Sequence, residues 1–498
     1  MLIVAYCGSM LDESVIARFR DDLAAAGFTL DAVSARLGET ALAALGRNTT
    51  LAADLALGRD DDPQATLIRL WVLGLPVSRK AAQTALATLP ELLAAGLVRQ
   101  SDTNTIIATI EVKPYGWGSS AGWICCDQTP LDHVRTSPPD DFVLGASPAS
   151  TTLAQLTVRR EVGRALDLGT GCGIQALHLS DHVGEIVATD LNPRALDLAR
   201  LTLGLNGVEA DLRLGSLYQP VAEDTFDLIV TNPPYVMTPP GESHLVYREG
   251  GFESDGLMRS VVTGAPARLR DGGLLQIVGN WAITADQPWS ERLAGWITPT
   301  GCDALVLCRE VLDPCEYVEL WLADAGLAGS PGYRDAYRRW LDYFGAHGIV
   351  GVGMGWISLR RAGRADPVVR IEDWPHAVAQ PVGDAIGAFF DAADWLADDD
   401  DTLLATRFAA VPGLVQETYG VPGAADPEHL VLRQTTGLCR AAEAGTALAA
   451  VVGACDGELP LGVLIDAVAS LLDLPAANTR AELVPQVRDL VAQGFLVA

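Results

Sequence analysis

Basic charge is what this sequence has least of. Its 498 residues carry 63 Asp and Glu against 35 Lys and Arg, a formal net charge of −28. That balance excludes a chain-wide affinity for nucleic acid, which needs cationic side chains to displace counterions; a local basic groove is still allowed. Long apolar runs are missing as well. No uninterrupted stretch reaches the ~18 residues of a membrane span, so no membrane association is expected. The opening MLIVAY is short and has neither a basic flank nor a small-residue cleavage site, so no leader is read there and the default compartment is the cytoplasm. Nine cysteines in so long a chain make no disulfide framework. Cys125 and Cys126 are adjacent, Cys302, Cys308 and Cys315 are too far apart for a zinc knuckle, and the histidines form no H-E-x-x-H pattern, so no metal site is expected.

What remains is ordinary globular composition, 49% hydrophobic and 20% charged. The length calls for two to four domains of ~100–200 residues. Residues 1–126 read as a helical unit closed by strands. VIARFRDDLAAAG (Val15 to Gly27), the stretch from Leu37, ATLIRLWVLGL (Ala65 to Leu75) and the stretch from Ser78 have apolar residues at helical spacing, with Ser78 a plausible N-cap and Gly96 a plausible C-cap. NTIIATIEVKPYGW and GWICCDQ then alternate as strands of a hairpin. Helices followed by a hairpin resemble a winged-helix module, in which Arg79 and Lys80 would sit where such modules read nucleic acid; with only two basic residues there, the competing expectation is a module that packs on the central domain or holds a partner. Residues 127–163 form a connector rich in proline, serine and aspartate.

From 164 to 363 strand and helix patterns alternate. Strands are expected from Arg164, Glu185, Asp211, Phe226, Gly273, Asp303 and Ile349, with helices between them. That order predicts an α/β domain, a doubly wound, seven-stranded and mostly parallel sheet with ligands at the carboxyl ends of its strands. Two helices between the last two strands would overhang those ends. Residues 364–498 read as a mainly helical C-terminal unit, with Asp391 to Asp401 a solvated turn or helix start. From Leu430 on it holds four arginines and no lysine against seven acids, a balance that favours packing or protein contact over nucleic acid. Its ending, a helix, a glycine and FLV, echoes LPELLAAGLV near residue 97 and predicts a second winged-helix-like unit.

Two motifs carry chemistry. ALDLGTGCGIQAL, Ala165 to Leu177, is a strand, a glycine turn and a helix start. Its G-x-G-x-G spacing, Gly169, Gly171 and Gly173, lets backbone approach a ligand but is not the dinucleotide G-x-G-x-x-G. Asp190 ends the next strand, where a carboxylate can take both hydroxyls of a ribose. NPPY, Asn232 to Tyr235, follows the apolar FDLIV. The nitrogen of a planar amine or amide is a poor nucleophile until its protons are held. The Asn232 side-chain oxygen and the Pro233 carbonyl can hold them on a backbone made rigid by two prolines. Tyr235 offers a face on which a flat acceptor could stack.

With these motifs, residues 145–285 resemble the class I S-adenosylmethionine-dependent methyltransferases of the "small domain" group. The NPPY branch of that group contains the release-factor glutamine methyltransferases and the amino-methyltransferases of nucleic-acid bases. SDGLMRSVVTGAPARLRDGG, from Ser254, resembles the stretch downstream of NPPY in the glutamine enzymes. The resemblance implies S-adenosylmethionine as cofactor and carries over Gly169, Gly171, Asp190 and Asn232 as cofactor and acceptor contacts; Asp167, just before the loop, would face the methionine ammonium group, and Thr170, Gly173 and Leu191 are also expected around the donor. Ser147 to Thr152 would close over it. Where the group usually has an acid to hold adenine, this chain has Ser216, so Ser216 and Leu217 would grip the ring by backbone. The expected reaction is methylation of a planar nitrogen on a macromolecule, first a nucleic-acid base, alternatively a protein glutamine or a small amine.

Overall fold

Eight strands through the middle of the chain pair into one sheet. The computed structural model describes residues 11–132, 138–240, 250–396, 399–422 and 429–498. The sheet strands are β1 (Val162–Leu168), β2 (Val183–Asp190), β3 (Asp211–Leu214), β4 (Phe226–Thr231), β5 (Leu269–Thr284), β6 (Asp303–Leu312), β7 (Ile349–Arg360) and β8 (Val369–Asp373). Their order across the sheet is β8-β6-β7-β5-β4-β1-β2-β3. β7 runs antiparallel to both neighbours; the other pairs are parallel. The sheet is thus one strand wider than the sequence pattern predicts, and it continues past Arg364. The eighth strand, VRIED, is a half-buried edge strand with no buried apolar run to announce it.

The inner strands are apolar on both faces because each face is covered. Ala165, Ala188, Leu228, Val230, Leu305 and Leu307 join one core, while Leu166, Val187, Ile229, Ala304 and Val306 join the other. That alternation is the period-two geometry of a strand. The first core is shared with the N-terminal region. The helix Pro193–Asn206 lies under the hairpin of Ile110–Trp117 and Ser120–Asp127. Asn206 accepts from the Trp123 N–H at 2.9 Å and donates to its carbonyl at 2.7 Å. The approach is so close that a Cβ on Gly122 would lie 1.7 Å from Asn206 Oδ1.

The N-terminal hairpin differs from expectation. Residues 105–117 are not one strand. Thr105–Ala108 joins Val77–Ser78 and Val98–Asp102 in a three-stranded antiparallel sheet, and Ile110–Trp117 pairs with Ser120–Asp127 in a separate two-stranded one. Thr109 is the break: its N–H bonds to Leu97 O at 3.1 Å and its hydroxyl to Gly96 O at 2.5 Å, which takes it out of both ladders. Ser78 caps the helix Arg79–Ala85, as its position predicts.

The C-terminal region has its own core, but it is less helical than its sequence suggests. A three-stranded antiparallel sheet of Leu414–Tyr419, His429–Gln434 and Ala441–Glu443 precedes the helices Thr446–Gly453, Leu461–Leu471 and Ala476–Ala492. The acidic stretch from Asp391 is not simply a solvated turn. Asp391 and Asp394 lie in the helix Gly383–Trp395 and pair with Arg160 and with Arg360 and Arg364 respectively; Asp399 caps the helix Asp400–Ala405, and residues 397–398 lie outside the described residues. Among the described residues, no helix is long and apolar enough to cross a membrane and no cluster of ligating side chains could hold a metal ion.

Candidate active site

The sheet order reverses at β1. From it the chain runs outward to β2 and β3 on one side and to β4 and β5 on the other, which leaves a crevice at the carboxyl ends of β1 and β4. The glycine loop follows β1 and Asn232 follows β4. Thr231 donates its hydroxyl to Leu168 O at 2.7 Å and ties the two strand ends together. A cavity of about 370 Å³ opens there.

Gly169, Gly171 and Gly173 all have left-handed φ, at 77°, 57° and 88°. Their uses differ. A Cβ on Gly169 or Gly171 would meet nothing within 4 Å, whereas one on Gly173 would lie 3.3 Å from Ala199 Cα. The first two therefore open backbone to the cavity, and the third lets two helices approach. Gly169, Thr170 and Gly171 line the cavity; Gly173 does not.

Asp190 lines it too. Its Oδ2 accepts from the Gly171 N–H at 2.9 Å and its Oδ1 from the Asn192 N–H at 2.8 Å. Burial raises its pKa, and those N–H donors oppose the shift. Asp167 has a different place from the one expected. It is buried below the loop, where Oδ2 accepts from the Thr170 hydroxyl at 2.6 Å and the Ala176 N–H at 3.1 Å, and it does not line the cavity. Burial pushes its pKa to about 7. It shapes the loop from beneath, one residue before the end of a strand that is covered on both faces.

Leu191, Ser216 and Leu217 line the same cavity. Leu191 is 59% exposed, an apolar side chain facing the open space, and Leu217 has φ 48°. A left-handed leucine costs about 1 kcal/mol or more and is seen where surroundings or function impose it. Ser147 and Ser150 also line the cavity, joined in a capping box at the start of the helix Pro148–Leu156.

At the end of β4 the cavity is lined by Asn232, Pro233 and Pro234. Asn232 Oδ1 is buried and has no hydrogen-bond partner among the described residues. Tyr235 is not a cavity wall. Its ring packs edge-on against Trp321 with centroids 6.3 Å apart, and burial, with Asp324 nearby, pushes its pKa up to about 12. The reason is the helix pair Pro314–Asp324 and Tyr333–Ala346, which stands over the strand ends as expected and draws Tyr235, Val236 and Met237 into its aromatic core. Phe252, 40% exposed, lines the cavity instead. Its loop is fixed by Ser254, whose N–H donates to Tyr343 Oη at 2.7 Å. Phe142, Leu144, Asn192 and Phe252 are wall residues that sequence reasoning missed; two glycines before an aromatic, in EGGFES, were the available sign of the last.

Among the described residues, the overhanging helices carry both signs of charge. Arg334, Arg338 and Arg339 are exposed there, but so are Glu316, Glu319, Asp324, Asp335 and Asp342. Arg79 donates to Gln100 at 3.0 Å, and neither it nor Lys80 lines the cavity.

Residues 147–294 match the family described as the methyltransferase small domain. Residues 25–109 and 387–498 match two families described as domains of unknown function, DUF7059 and DUF7782, so the flanking regions gain no winged-helix assignment. A ribosomal protein uL3 glutamine methyltransferase of Bradyrhizobium diazoefficiens is 32% identical over 150 residues, 27% of this chain and 47% of that one. A release factor glutamine methyltransferase of Xylella fastidiosa is 37% identical over 131 residues, 24% of this chain and 47% of that one. The chain thus spans about half the length of these curated relatives. Among solved structures, a T. thermophilus 16S rRNA N2 G1207 methyltransferase aligns with TM-score 0.28 and 17% identity over 51% of this chain and 66% of that one. Strand order, glycine loop and sequence match concern the same segment: residues 147–294 are similar to the methyltransferase small-domain family, and the sheet they enter has the Rossmann-like α/β fold of class I methyltransferases.

Proposed function

We propose that this chain transfers a methyl group from S-adenosylmethionine to a planar nitrogen, and that the acceptor is the side-chain amide of a protein glutamine. The carrying observation is the buried, unpartnered Asn232 Oδ1 at the end of β4. A buried acceptor without a donor costs about 1–3 kcal/mol, a cost that an incoming N–H offsets.

The cavity suits the donor. Gly169 and Gly171 leave room above the loop, Asp190 presents a carboxylate, and Leu191, Leu217, Phe142 and Leu144 supply apolar walls. Bound there, S-adenosylmethionine supplies an electrophilic sulfonium methyl group. Asp190 would take the ribose hydroxyls, and the Gly169 to Gly171 backbone would lie along the donor. Asn232 Oδ1 and the Pro233 carbonyl would each accept one proton bond from the acceptor NH₂ and turn its lone pair toward the methyl group. Phe252 would cover the planar group in the role that Tyr235, packed on Trp321, leaves open. No strong base is needed at this step, since the proton can leave once the new bond has formed.

The glutamine reading draws support from the two relatives, both named as glutamine methyltransferases, and from the acids among the arginines of the overhanging helices, which oppose a phosphate backbone. Tritiated methyl transfer into a fractionated lysate of cells lacking the protein tests it. Label that is lost to protease and stable to RNase supports the glutamine acceptor; the reverse pattern assigns a nucleic-acid base.

A further inference from the structure

One wall of the donor cavity is held from outside the catalytic sheet. Residues 141–145 form a strap before the helix Pro148–Leu156, and Phe142, Val143, Leu144 and Gly145 line the cavity. The strap is bound to the last residues of the N-terminal hairpin. The Val143 N–H donates to Asp127 Oδ2 at 2.8 Å, and the Asp127 N–H donates back to Val143 O at 3.0 Å. Gly145 lies against the hairpin so closely that a Cβ there would be 2.6 Å from Cys126 Sγ. Asp127, 6% exposed, is in turn gripped by Arg194, whose Nε donates to its two oxygens at 3.1 and 3.0 Å and whose Nη2 donates to Oδ1.

Arg194 is the second residue of the helix Pro193–Asn206, which follows Asp190. Its N–H donates to Asn192 Oδ1 at 3.0 Å, the Asn192 N–H donates to Asp190 at 2.8 Å, and Asn192 Nδ2 donates to Asp141 O at 2.8 Å. A closed circuit therefore runs from the carboxylate expected to take the ribose, through Asn192 and Arg194, to Asp127 and back along the strap. The strap meets the circuit at Asn192, which places Phe142 and Leu144 at the adenosine end of the cavity.

We propose that Asp127 and Arg194 are positioning residues for the methyl donor. Their ion pair clamps the strap at the adenosine end, and the N-terminal hairpin is thereby a working part of the donor site. Neither residue touches the donor; each acts through the strap. The inference rests on the donor reading above.

Titration of the full chain with S-adenosylhomocysteine tests it. Asp127→Asn and Arg194→Ala should each raise the dissociation constant about tenfold in chains that still unfold cooperatively, and Arg194→Lys should recover part of the loss. Gly145→Ala leaves the ion pair intact and displaces the strap from Cys126; it should weaken binding several-fold. Wild-type affinity in all of these variants overturns the proposal. Should both charge variants fail to fold, Gly145→Ala decides: weakened binding sustains the clamp and wild-type binding overturns it. A wild-type chain that does not bind S-adenosylhomocysteine overturns the donor reading and this inference together, whereas binding by the wild type with unaffected variants overturns this inference alone.

Discussion

The donor side and the acceptor side of the cavity are finished to different degrees. On the donor side the polar groups already have partners: Asp190 takes two backbone N–H groups, Asn192 bridges to Asp141, and Asp167 holds the loop from below. On the acceptor side Asn232 Oδ1 has none among the described residues. A site whose hydrogen bonds are closed before binding loses little freedom when its ligand arrives, while an open acceptor waits for one particular donor. The difference teaches where selectivity resides. On the proposed reading, the donor half would recognise by shape and a fixed carboxylate, and the acceptor half by an unpartnered hydrogen-bond acceptor.

That contrast can be broken most severely at Asn232. Asn232→Ala should lower methyl transfer by about 10²–10³-fold, measured with tritiated donor, and leave S-adenosylhomocysteine affinity nearly unchanged by calorimetry. Near-normal turnover would remove the distinction between the halves. Asp190→Ala should do the opposite and weaken cofactor binding about tenfold or more, in the same calorimeter. Gly122→Ala tests the support behind the donor half. Its Cβ would fall 1.7 Å from Asn206 Oδ1, and chemical denaturation should show a loss of about 1–3 kcal/mol.

A last effect, on the pH dependence of stability, is expected from Asp167. Its folded pKa of about 7 lies above the ordinary carboxyl value of 3.8, so between those values the folded chain holds a proton that the unfolded chain has released. Its contribution to stability is therefore fully present below about pH 4 and declines as pH rises toward 7. Asp167→Asn, which cannot ionise, should lose that part of the slope in denaturation measured across this window. An unchanged slope would mean that the loop N–H and hydroxyl donors hold Asp167 ionised throughout.

The parts legible in the sequence are those with a local cause. FDLIV and RALDL announce buried strands because nothing but a covered sheet wants such runs, and three glycines at alternate positions announce a turn with room for a ligand. Asn232 was legible for the same reason, since a polar residue between an apolar strand and two prolines has few other uses. The rest depends on what packs from a distance. Tyr235 turns away because Trp321, almost ninety residues later, offers it an apolar partner. Phe142 and Leu144 sit in irregular chain, where no period tells a wall from a loop. Val369–Asp373 joins the sheet as an edge strand whose pairing with β6 no pattern in VRIED reveals.

The shared core has a consequence for how the molecule is made. Ile16, Phe19 and Trp71 leave the ribosome well before the helix Pro193–Asn206 and the sheet with which they form one core. A Cβ on Gly204 would lie 3.0 Å from Ile16, so this contact joins residues nearly two hundred positions apart and must await the emergence of Gly204. During synthesis the leading third of the chain therefore carries uncovered apolar surface, and nascent chains halted before residue 206 should depend on chaperones that chains extended past β7 no longer need.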